Sequence, residues 1–413
     1  MTVVIAGAGI AGLTLGLTLH QIGVPFRIYE AVRRLKPMGV GINLQPNAVR
    51  ELIDLGLEDD LAQIGVATQN LGFYSKTGRE IWTEPRGTAA GYHWPQFSVH
   101  RGHLQMLLYD TLVARAGADC VVTGHRATGF SAARLHMETT DGPLDVEASP
   151  IIAADGIHSA IRHQMYADEG PPIWGGAILW RGTTQAAPFL GGADMILAGH
   201  DSQRFVAYPI TPPDPGTGQA TINWIAELRT DPAQGWRKED WNRQADLADF
   251  LPAFEGWRFD WLDVPALIRG AEAVYEYPMV DRDPVENWTT GPVTLMGDAA
   301  HPTYPVGSNG ASQAIIDART LGACFKDHGT TENALLAYEA AIRPRTTGVT
   351  LANRGTGPDA ILQLVEDRCG GEFDDIETVV PRAELAAHSA KYKSLAGFDV
   401  AALNAQPPLI GPV

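Results

Sequence analysis

Residues 2–30 read TVVIAGAGIAGLTLGLTLHQIGVPFRIYE, and this stretch decides the fold class. The apolar run at 2–6 is typical of a strand that is buried on both faces of a parallel sheet. A glycine-rich turn follows it, then an apolar helix over 13–22 and a second strand over 24–30. A strand, a helix and a strand in this order predict a βαβ unit with parallel strands and a right-handed crossover.

The turn after the first strand reads Gly7-Ala8-Gly9-Ile10-Ala11-Gly12, which is the spacing of a dinucleotide-binding loop. Gly7 permits the tight turn, Gly9 lets a pyrophosphate approach the backbone, and Gly12 allows the helix to pack closely on the strand. Glu30 ends the second strand, where its carboxylate can accept hydrogen bonds from ribose hydroxyls. This context predicts a bound dinucleotide, but it does not separate FAD from NAD.

Two further motifs follow apolar strands later in the chain. The run 150–154 leads into DGIHSAIR (155–162), and the run 292–296 leads into GDAAHP (297–302). A carboxylate directly after a buried strand costs free energy unless it accepts hydrogen bonds. Asp155 and Asp298 therefore either bind a ligand or cap the helix that follows. Arg162 either contacts a ligand or forms a salt bridge.

In their order along the chain, these motifs resemble those of the class A flavoprotein aromatic hydroxylases, the group similar to para-hydroxybenzoate hydroxylase. The loop PVGSNGA (305–311) completes the third motif. Within that family, seven segments look most like the phenazine-pathway branch, which hydroxylates a phenazine carboxylate with loss of the carboxylate. They are KPMGVGINLQPNAV (36–49), EPRG (84–87), VHRGHLQ (99–105), WRG (180–182), AYPI (207–210), YPMVDRDP (277–284) and SNGASQAI (308–315).

The resemblance implies a bound FAD, NADH or NADPH as a transient reductant, and O2. In this family the reduced flavin forms a C4a-hydroperoxide that attacks an electron-rich carbon of an aromatic or heteroaromatic acid. The protein then has to orient the substrate and exclude water. Two alternatives stay open: a flavin-binding redox sensor or regulator without turnover, and a flavin dehydrogenase or oxidase.

The resemblance also implies which residues contact the FAD. These positions are Gly7, Gly9, Ile10, Ala11, Gly12, Glu30, Ala31, Asn43, Gln45, Arg101, Gln105, Ala127, Asp155, Asp298, Ser308, Asn309, Gly310 and Ala311. Ala127 stands where the family usually has a larger apolar residue against the adenine, so we expect a smaller contact there. Pro302, Thr303 and Val306 also depart from the phenazine branch, which predicts a different pocket shape around Tyr304.

We expect the substrate pocket to form where an inserted sheet meets the flavin. The candidate residues are Trp180, Arg181, Tyr208, Trp224 and Tyr304. Aromatic side chains suit a planar ring, and an arginine can hold a carboxylate in a bidentate pair. The alternatives are core packing for the aromatic residues and a structural salt bridge for Arg181. The histidines show no metal-ligand spacing, so no metal is expected, and His301 is expected to order its loop.

Alternating runs at 178–182, 204–210 and 220–228 predict antiparallel strands inserted into the nucleotide-binding fold. The predicted fold class is α/β, with a Rossmann-like FAD-binding domain, an inserted antiparallel-sheet substrate domain and a helical carboxyl terminus. We assign residues 1–70, 96–175 and 271–351 to the first domain and residues 71–95 and 176–270 to the second. Residues 352–413 form the helical segment.

The 413 residues carry a formal net charge of −17. So acidic a chain repels phosphate backbones and anionic lipid head groups, which argues against nucleic acid and membrane surfaces as partners. The three cysteines lie far apart without CxxC spacing, and the amino-terminal residues lack the basic region of a signal peptide. We expect a cytoplasmic protein, monomeric or homodimeric, whose partner is a small aromatic substrate.

Overall fold

The computed structural model describes residues 2–231, 244–355 and 357–411. The nucleotide-binding part of the fold is built on a six-stranded sheet. In spatial order its strands are β20 (Thr289–Thr290), β21 (Val293–Leu295), β12 (Ile151–Ala153), β1 (Val3–Ala6), β2 (Phe26–Glu30) and β8 (Val121–Thr123). Neighbouring strands are parallel, except that β20 is antiparallel to β21. The βαβ unit predicted at 2–30 therefore lies at the centre of this sheet.

A seven-stranded sheet forms the inserted part of the fold. In spatial order its strands are β19 (Val274–Asp281), β13 (Ile173–Ala186), β16 (Ala220–Arg229), β15 (Gln203–Pro209), β14 (Asp194–His200), β5 (Asn70–Tyr74) and β6 (Glu80–Pro85). Neighbours are antiparallel, except that β14 and β5 are parallel. The three alternating runs identified in the sequence all lie in this sheet.

Strand β19 differs from the sequence-based division, which placed residues 271–351 with the nucleotide-binding domain. It pairs along β13, so it belongs to the seven-stranded sheet. β19 is an edge strand, and Pro278 pairs with Ile178 there. A proline is tolerated at an edge because its missing N–H removes no bond to a further strand. The chain leaves the second sheet only after Asp281.

Three small sheets and a set of helices surround the two large sheets. The small sheets contain β3 (Gly41–Leu44), β7 (Gln96–His100) and β4 (Gly65–Thr68), then β9 (His125–Ser131), β10 (Arg134–Thr139) and β11 (Gly142–Glu147), and finally β17 (Arg258–Phe259) and β18 (Leu262–Asp263). The α-helices of the described residues are α1 (Ile10–Gln21), α2 (Pro46–Asp54), α3 (Glu58–Ile64), α4 (Arg101–Ala116), α5 (Ala160–Met165), α6 (Leu251–Phe254), α7 (Val264–Arg269), α8 (Gly310–His328), α9 (Glu332–Ala352), α10 (Ala360–Cys369), α11 (Arg382–Ala396) and α12 (Val400–Asn404).

The two large sheets are covered in different ways. Helix α1 packs against α4 and α8 in the core of the first sheet, and Leu13 and Leu17 are at most 1% exposed there. One face of the second sheet carries an aromatic core. On its other face, Tyr208 shares an apolar cluster with Leu362 and Val365 of α10. The carboxyl-terminal helices thus pack on the sheet face that also meets the nucleotide-binding part. Across the described ranges, no helix has the length and hydropathy that crossing a membrane requires.

Candidate cofactor and substrate site

The three sequence motifs meet at one edge of the six-stranded sheet. Ala6, Ala153 and Leu295 are paired at the same level of the neighbouring strands β1, β12 and β21. Because parallel strands end at a common edge, the turns that follow them lie side by side. Ligands of open α/β sheets bind in the crevice at this carboxyl edge. The edge is therefore the candidate cofactor site.

The packing of three glycines shows how closely the motifs approach one another. Gly7 has φ +107, and a Cβ built on it would lie 2.3 Å from the carbonyl oxygen of Ala154, next to Asp155. A Cβ on Gly12 would lie 2.0 Å from the carbonyl oxygen of Gly7. A Cβ on Gly9, in contrast, would have no atom of the described residues within 4 Å. Gly9 borders open space at the amino terminus of α1, where N–H groups without intrahelical partners favour a phosphate.

Both backbone groups of Ala8 are held by side chains that the sequence singled out. The Ala8 N–H donates to Oε2 of Glu30 at 2.7 Å, and its carbonyl oxygen accepts from Nε2 of Gln105 at 2.8 Å. The other Glu30 oxygen accepts from the N–H of Val32 at 2.8 Å. The carboxylate is thereby oriented beside the glycine turn. Each of its oxygens retains a lone pair that a ribose hydroxyl could use.

Asp155 bonds the start of helix α5 with one of its two oxygens. Oδ2 accepts from the N–H of Ala160 at 3.0 Å, while Ser159 is the N-cap residue itself. Burial raises the pKa of Asp155, although hydrogen bonds from Ser159 and from backbone amides oppose the shift. Oδ1 is buried and has no partner in the described part of the chain. The capping alternative thus accounts for one oxygen and leaves the other available to a ligand.

Arg162 forms the salt bridge that was one of its two alternatives. Its side chain is 1% exposed and pairs with Glu169. The same guanidinium donates to the carbonyl oxygens of Ala299 at 3.0 Å and Ala300 at 2.7 Å. Arg162 is therefore engaged by protein groups, and it links the second sequence motif to the third.

Asp298 is exposed at the crevice and caps no helix. The short 3-10 turn Gly297–Ala299 follows Met296 without a side-chain cap, and within the described ranges no group donates a hydrogen bond to the Asp298 carboxylate. Gly297 has φ +60, and a Cβ on it would lie 3.1 Å from the Cβ of Ala11 in α1. Asp298 is thus placed close to the glycine motif, with lone pairs that can accept from a polyol chain.

His301 connects the third motif to helix α8. Its Nε2 lies 2.5 Å from Oδ2 of Asp317, and the same oxygen accepts from the N–H of Gly297 at 2.9 Å. Burial alone would lower the pKa of His301, but the charge of Asp317 and the hydrogen bond to it outweigh burial and raise that pKa. This pairing agrees with a role in ordering the loop.

The loop 305–311 leads into the amino terminus of α8. Gly307 and Ser308 both have positive φ, +68 and +56. A Cβ on Gly310 would meet no atom of the described residues within 4 Å, so the first turn of α8 borders open space. The N–H groups of a first helical turn, here those of Gly310 and Ala311, lack intrahelical partners and can bind an acceptor. The N–H of Gln45 donates to Oγ of Ser312 at 2.9 Å and brings β3 to this loop.

Buried polar atoms without partners test whether FAD fits this site. Gln45 Oε1, Asn309 Oδ1 and Gln313 Nε2 are buried and have no hydrogen-bond partner among residues 2–231, 244–355 and 357–411. Such atoms cost free energy unless a ligand or water pairs with them. The pyrimidine part of a flavin offers both donors and acceptors. Together with the open space at Gly9 and the exposed Asp298, the residues present fit an FAD molecule.

Arg181 lies where the second sheet meets the nucleotide-binding part. Its Nη2 donates to the carbonyl oxygen of Gly41 at 2.8 Å, and its guanidinium carbon lies 5.9 Å from the centre of the Tyr277 ring. Tyr208 lies beside Arg181 and Asn43, and both side chains act to lower its pKa. The structure therefore brings the predicted residues Asn43, Arg181 and Tyr208 together in one polar group.

This polar group carries a positive charge that the described protein does not neutralise. No carboxylate of the described residues pairs with Arg181, and its Nε is buried without a partner. Burial lowers the pKa of Arg181, and the neighbouring Arg101 acts in the same direction. Burial also raises the pKa of Tyr208 to about 12, against the influence of Arg181. Among the described residues Arg181 therefore forms no salt bridge, and this partly buried cation without a carboxylate partner favours an anionic ligand.

Tyr304 packs against the same face of the second sheet. It is 7% exposed and belongs to an apolar cluster with Leu179 and Met279, against which Tyr277 also packs. A Cβ on Gly175 would lie 2.9 Å from the Tyr304 hydroxyl, so that glycine makes room for the ring. Burial raises the pKa of Tyr304 to about 12, and the charge of Asp281 adds to the shift. Tyr304 and Arg181 thus lie in adjoining groups on one face.

Trp180 and Trp224 belong to the opposite face of the second sheet. Trp180 stacks on Phe250 with ring centres 4.8 Å apart and an interplanar angle of 9°. Trp224 is fully buried, and its Nε1 donates to Oγ1 of Thr184 at 3.0 Å. Side chains of a strand alternate between faces, so both residues lie in the aromatic core away from Arg181. The core-packing alternative holds for both.

Two further residues, which the sequence analysis did not single out, lie where β3 meets the seven-stranded sheet. Asn223 is fully buried, and its Oδ1 accepts from the N–H of Gly41 at 2.7 Å. Tyr277 lies against the Arg181 guanidinium. Tyr277 begins the segment 277–284, which resembles the family, and that resemblance could have identified Tyr277 as a candidate site residue. Asn223 is a polar residue within the predicted strand 220–228, and this could have identified it as a candidate for a buried hydrogen bond.

The remaining predicted cofactor residues lie on elements around the crevice. Ile10 and Ala11 begin α1, and Ala31 follows Glu30 at the end of β2. Arg101 is the exposed first residue of α4, and its side chain lies 3.6 Å from a Cβ built on Gly39. Ala127 lies on β9 and packs against the core of the first sheet.

These features define a nucleotide-binding flavoprotein, and sequence comparison assigns it to a family. The chain belongs to the family described as FAD binding domain, whose sequence model matches residues 1–352. It is an FAD-dependent monooxygenase of the aromatic hydroxylase class, which uses NAD(P)H and O2.

Curated relatives of high similarity are monooxygenases. The phenazine 1,6-dicarboxylic acid hydroxylase PhzS of Lysobacter antibioticus is 45% identical over 95% of this chain and 96% of that protein. The 3-amino-4-hydroxybenzoate 2-monooxygenase of Streptomyces cremeus is 33% identical over 84% of each chain. Among solved structures, Klebsiella pneumoniae HpxO complexed with FAD and uric acid matches with a TM-score of 0.71 and 24% identity, covering 100% of this chain and 97% of that one. The structural match shows the shared fold.

Proposed function

We propose that this monooxygenase hydroxylates an aromatic or heteroaromatic carboxylic acid of phenazine-like size, and that Arg181 binds the carboxylate. The observation that carries the proposal is the partly buried Arg181 side chain, whose Nε is buried without a partner and which no described carboxylate neutralises. The likeness to a phenazine dicarboxylate hydroxylase supports the substrate class. A carboxylate supplies both the missing charge and the missing acceptor.

The protein groups of this site have distinct proposed roles. FAD, when bound, supplies the chemistry that activates O2, so that one oxygen atom enters the substrate and the other leaves as water. Arg181 anchors the acid, and its bond to the carbonyl oxygen of Gly41 orients the guanidinium beside Tyr208. Tyr304 lines the pocket beside the apolar cluster of the sheet. The burial of these side chains excludes water from the reacting ring.

The same proposal assigns the FAD contacts and divides the fold into a cofactor-binding part and a substrate-binding part. The 18 positions from Gly7 to Ala311 given above bind FAD, and the seven-stranded sheet supplies the substrate side. We also propose that the protein is cytoplasmic and acts as a monomer or homodimer. The carboxyl-terminal helices cover the substrate side, which is supported by the apolar cluster that Tyr208 shares with Leu362 and Val365.

The test is oxidation of NADH and of NADPH by the purified FAD-loaded protein, with products followed by mass spectrometry. Phenazine-1-carboxylate, phenazine-1,6-dicarboxylate and hydroxybenzoates are compared with unsubstituted phenazine. We expect an acid to accelerate oxidation and to gain one oxygen, whereas the neutral ring does neither. A product that has also lost CO2 would establish decarboxylative hydroxylation. If no acid stimulates oxidation, the substrate proposal fails, and the monooxygenase acts on a substrate of another class.

An arginine variant tests the carboxylate contact directly. Arg181→Met should raise the KM for the acid about 10- to 100-fold, since a lost charged hydrogen bond is worth about 1.5–3 kcal/mol. Arg134→Met is the matched control, because Arg134 is an exposed arginine that pairs with Glu147 on the small β9–β11 sheet. An equal KM in both variants would remove Arg181 from the substrate site.

A further inference from the structure

The carboxyl-terminal segment, residues 353–411, contacts the loop at 303–309. The family match ends at residue 352, so this segment lies outside it. Asn353 is 5% exposed, and its Nδ2 donates to Oγ1 of Thr303 at 3.0 Å and to the carbonyl oxygen of Val306 at 3.1 Å. A longer contact of 3.4 Å reaches the carbonyl oxygen of Tyr304. One side chain thus holds three acceptors of the loop.

Tyr392 of α11 reaches the same loop from further along the chain. Its hydroxyl accepts a hydrogen bond from Nδ2 of Asn309 at 2.6 Å and donates one to Oδ1 of Asn353 at 2.9 Å. The Tyr392 side chain is 5% exposed. The loop, Asn353 and Tyr392 therefore form a closed hydrogen-bond chain in the interior, where a lost partner is costly.

The loop needs such support because of its backbone conformation. Gly307 and Ser308 are consecutive residues with φ +68 and +56, and the second carries a side chain. A left-handed conformation is unfavourable for residues other than glycine and persists only where surrounding structure enforces it. A Cβ on Gly307 would lie 2.0 Å from the Tyr392 hydroxyl, so the tyrosine packs directly against this turn.

The position of Tyr392 does not depend on the loop alone. Its ring packs in an apolar cluster with Val349, Ala396 and Phe398. The hydroxyl of Tyr92 separately donates to the carbonyl oxygen of Phe398 and ties the end of α11 to the body of the protein. Removal of the Tyr392 hydroxyl should therefore leave the ring and helix in place. This separates loop positioning from docking of the segment.

We propose that Tyr392 and Asn353 are positioning residues that hold the loop 303–309 in the conformation that binds FAD. Their bonds occupy the carbonyl oxygens and the Asn309 amide on one side of the loop. The first-turn N–H groups of α8 stay available to the flavin. The inference rests on the proposed assignment of residues 308–311 to the cofactor, but not on the identity of the substrate.

The test compares Tyr392→Phe with Tyr92→Phe, two substitutions that each remove one buried tyrosine hydroxyl between the segment and the body. FAD titration of the FAD-stripped protein measures the Kd, and hydrogen exchange followed by mass spectrometry measures the peptides that cover 303–312. We expect Tyr392→Phe to raise the Kd about tenfold and to accelerate exchange in these peptides, through loss of a buried hydrogen bond. Tyr92→Phe should leave both values near those of the wild type.

Asn353→Ala is the second variant and should act in the same direction as Tyr392→Phe. Equal effects of Tyr392→Phe and Tyr92→Phe would overturn the proposal, because the hydroxyls would then merely dock the segment. Faster loop exchange with an unchanged Kd would also overturn it, since the loop would be held without consequence for FAD. No substrate is present in these measurements, so a failure of the proposed substrate leaves their outcome unaffected.

Discussion

The backbone N–H of Gly41 donates a hydrogen bond of 2.7 Å to Oδ1 of Asn223, which lies 182 residues further along the chain. The carbonyl oxygen of the same Gly41 accepts from Arg181 at 2.8 Å. Both backbone groups of one residue in β3 are therefore held by the seven-stranded sheet. A Cβ on Gly41 would lie 2.6 Å from Cγ of Asn223, so only glycine allows this approach. The contact fixes how closely β3 packs against the seven-stranded sheet.

Loss of the Asn223 side chain should weaken this junction. Asn223→Ala leaves the buried N–H of Gly41 without its acceptor, which should lower the free energy of unfolding by about 1–3 kcal/mol. Urea denaturation measures the change. Thr221→Ala on the same strand is the control, because the Thr221 hydroxyl accepts only from the exposed Gln185 amide, and we expect a change within about 0.5 kcal/mol. A comparable loss in both variants would contradict the coupling.

The glycine turn allows fold stability and cofactor binding to be separated. Gly12→Ala places a Cβ 2.0 Å from the carbonyl oxygen of Gly7, so it should destabilise the protein even without FAD. Gly9→Ala meets no atom of the described chain within 4 Å, and the Gly9 φ of −75 suits alanine. We expect Gly9→Ala to keep the thermal stability of the FAD-stripped protein while it raises the FAD Kd at least about tenfold, because the methyl group would meet the pyrophosphate. Unchanged FAD affinity would place the pyrophosphate elsewhere.

The buried His301–Asp317 pair predicts a pH dependence of stability. The pKa of His301 in the folded protein is raised above its ordinary value of 6.5, so folding favours the protonated form. The stability contribution is therefore fully present below pH 6.5 and is lost as the pH rises through the folded pKa. Urea denaturation from about pH 5 to pH 9 should show the advantage of the wild type over His301→Asn shrinking with rising pH.

An exposed histidine provides the control for that experiment. His136 contacts Asp145 at 2.7 Å on the small β9–β11 sheet, with both side chains at least one-third exposed. His136→Asn should have little effect, because an exposed pair contributes about 1 kcal/mol or less. A pH-independent difference for His301→Asn, or the opposite slope, would contradict protonation of the buried pair.

The relation of β13 to the site could not be read from the sequence. Trp180 and Arg181 are neighbours on one strand and so lie on opposite faces, but the strand pattern does not say which face meets the nucleotide-binding part. The structure turns Arg181 toward Gly41 and Trp180 toward Phe250. The pairing of strand β19 with β13 could not be predicted either, because it joins two segments that lie far apart in the sequence.

What the sequence by itself determined was the cofactor edge. Gly7, Asp155 and Gly297 each follow a short buried strand, and parallel strands bring their carboxyl ends to one edge whatever the chain does between them. Local rules for glycine, strand and helix start therefore suffice there. Only the tertiary structure decided the contacts of Arg181 with Gly41 and of Tyr392 with Asn309. These contacts join residues 140 and 83 positions apart, and such pairings depend on how separate elements pack, which no local spacing encodes.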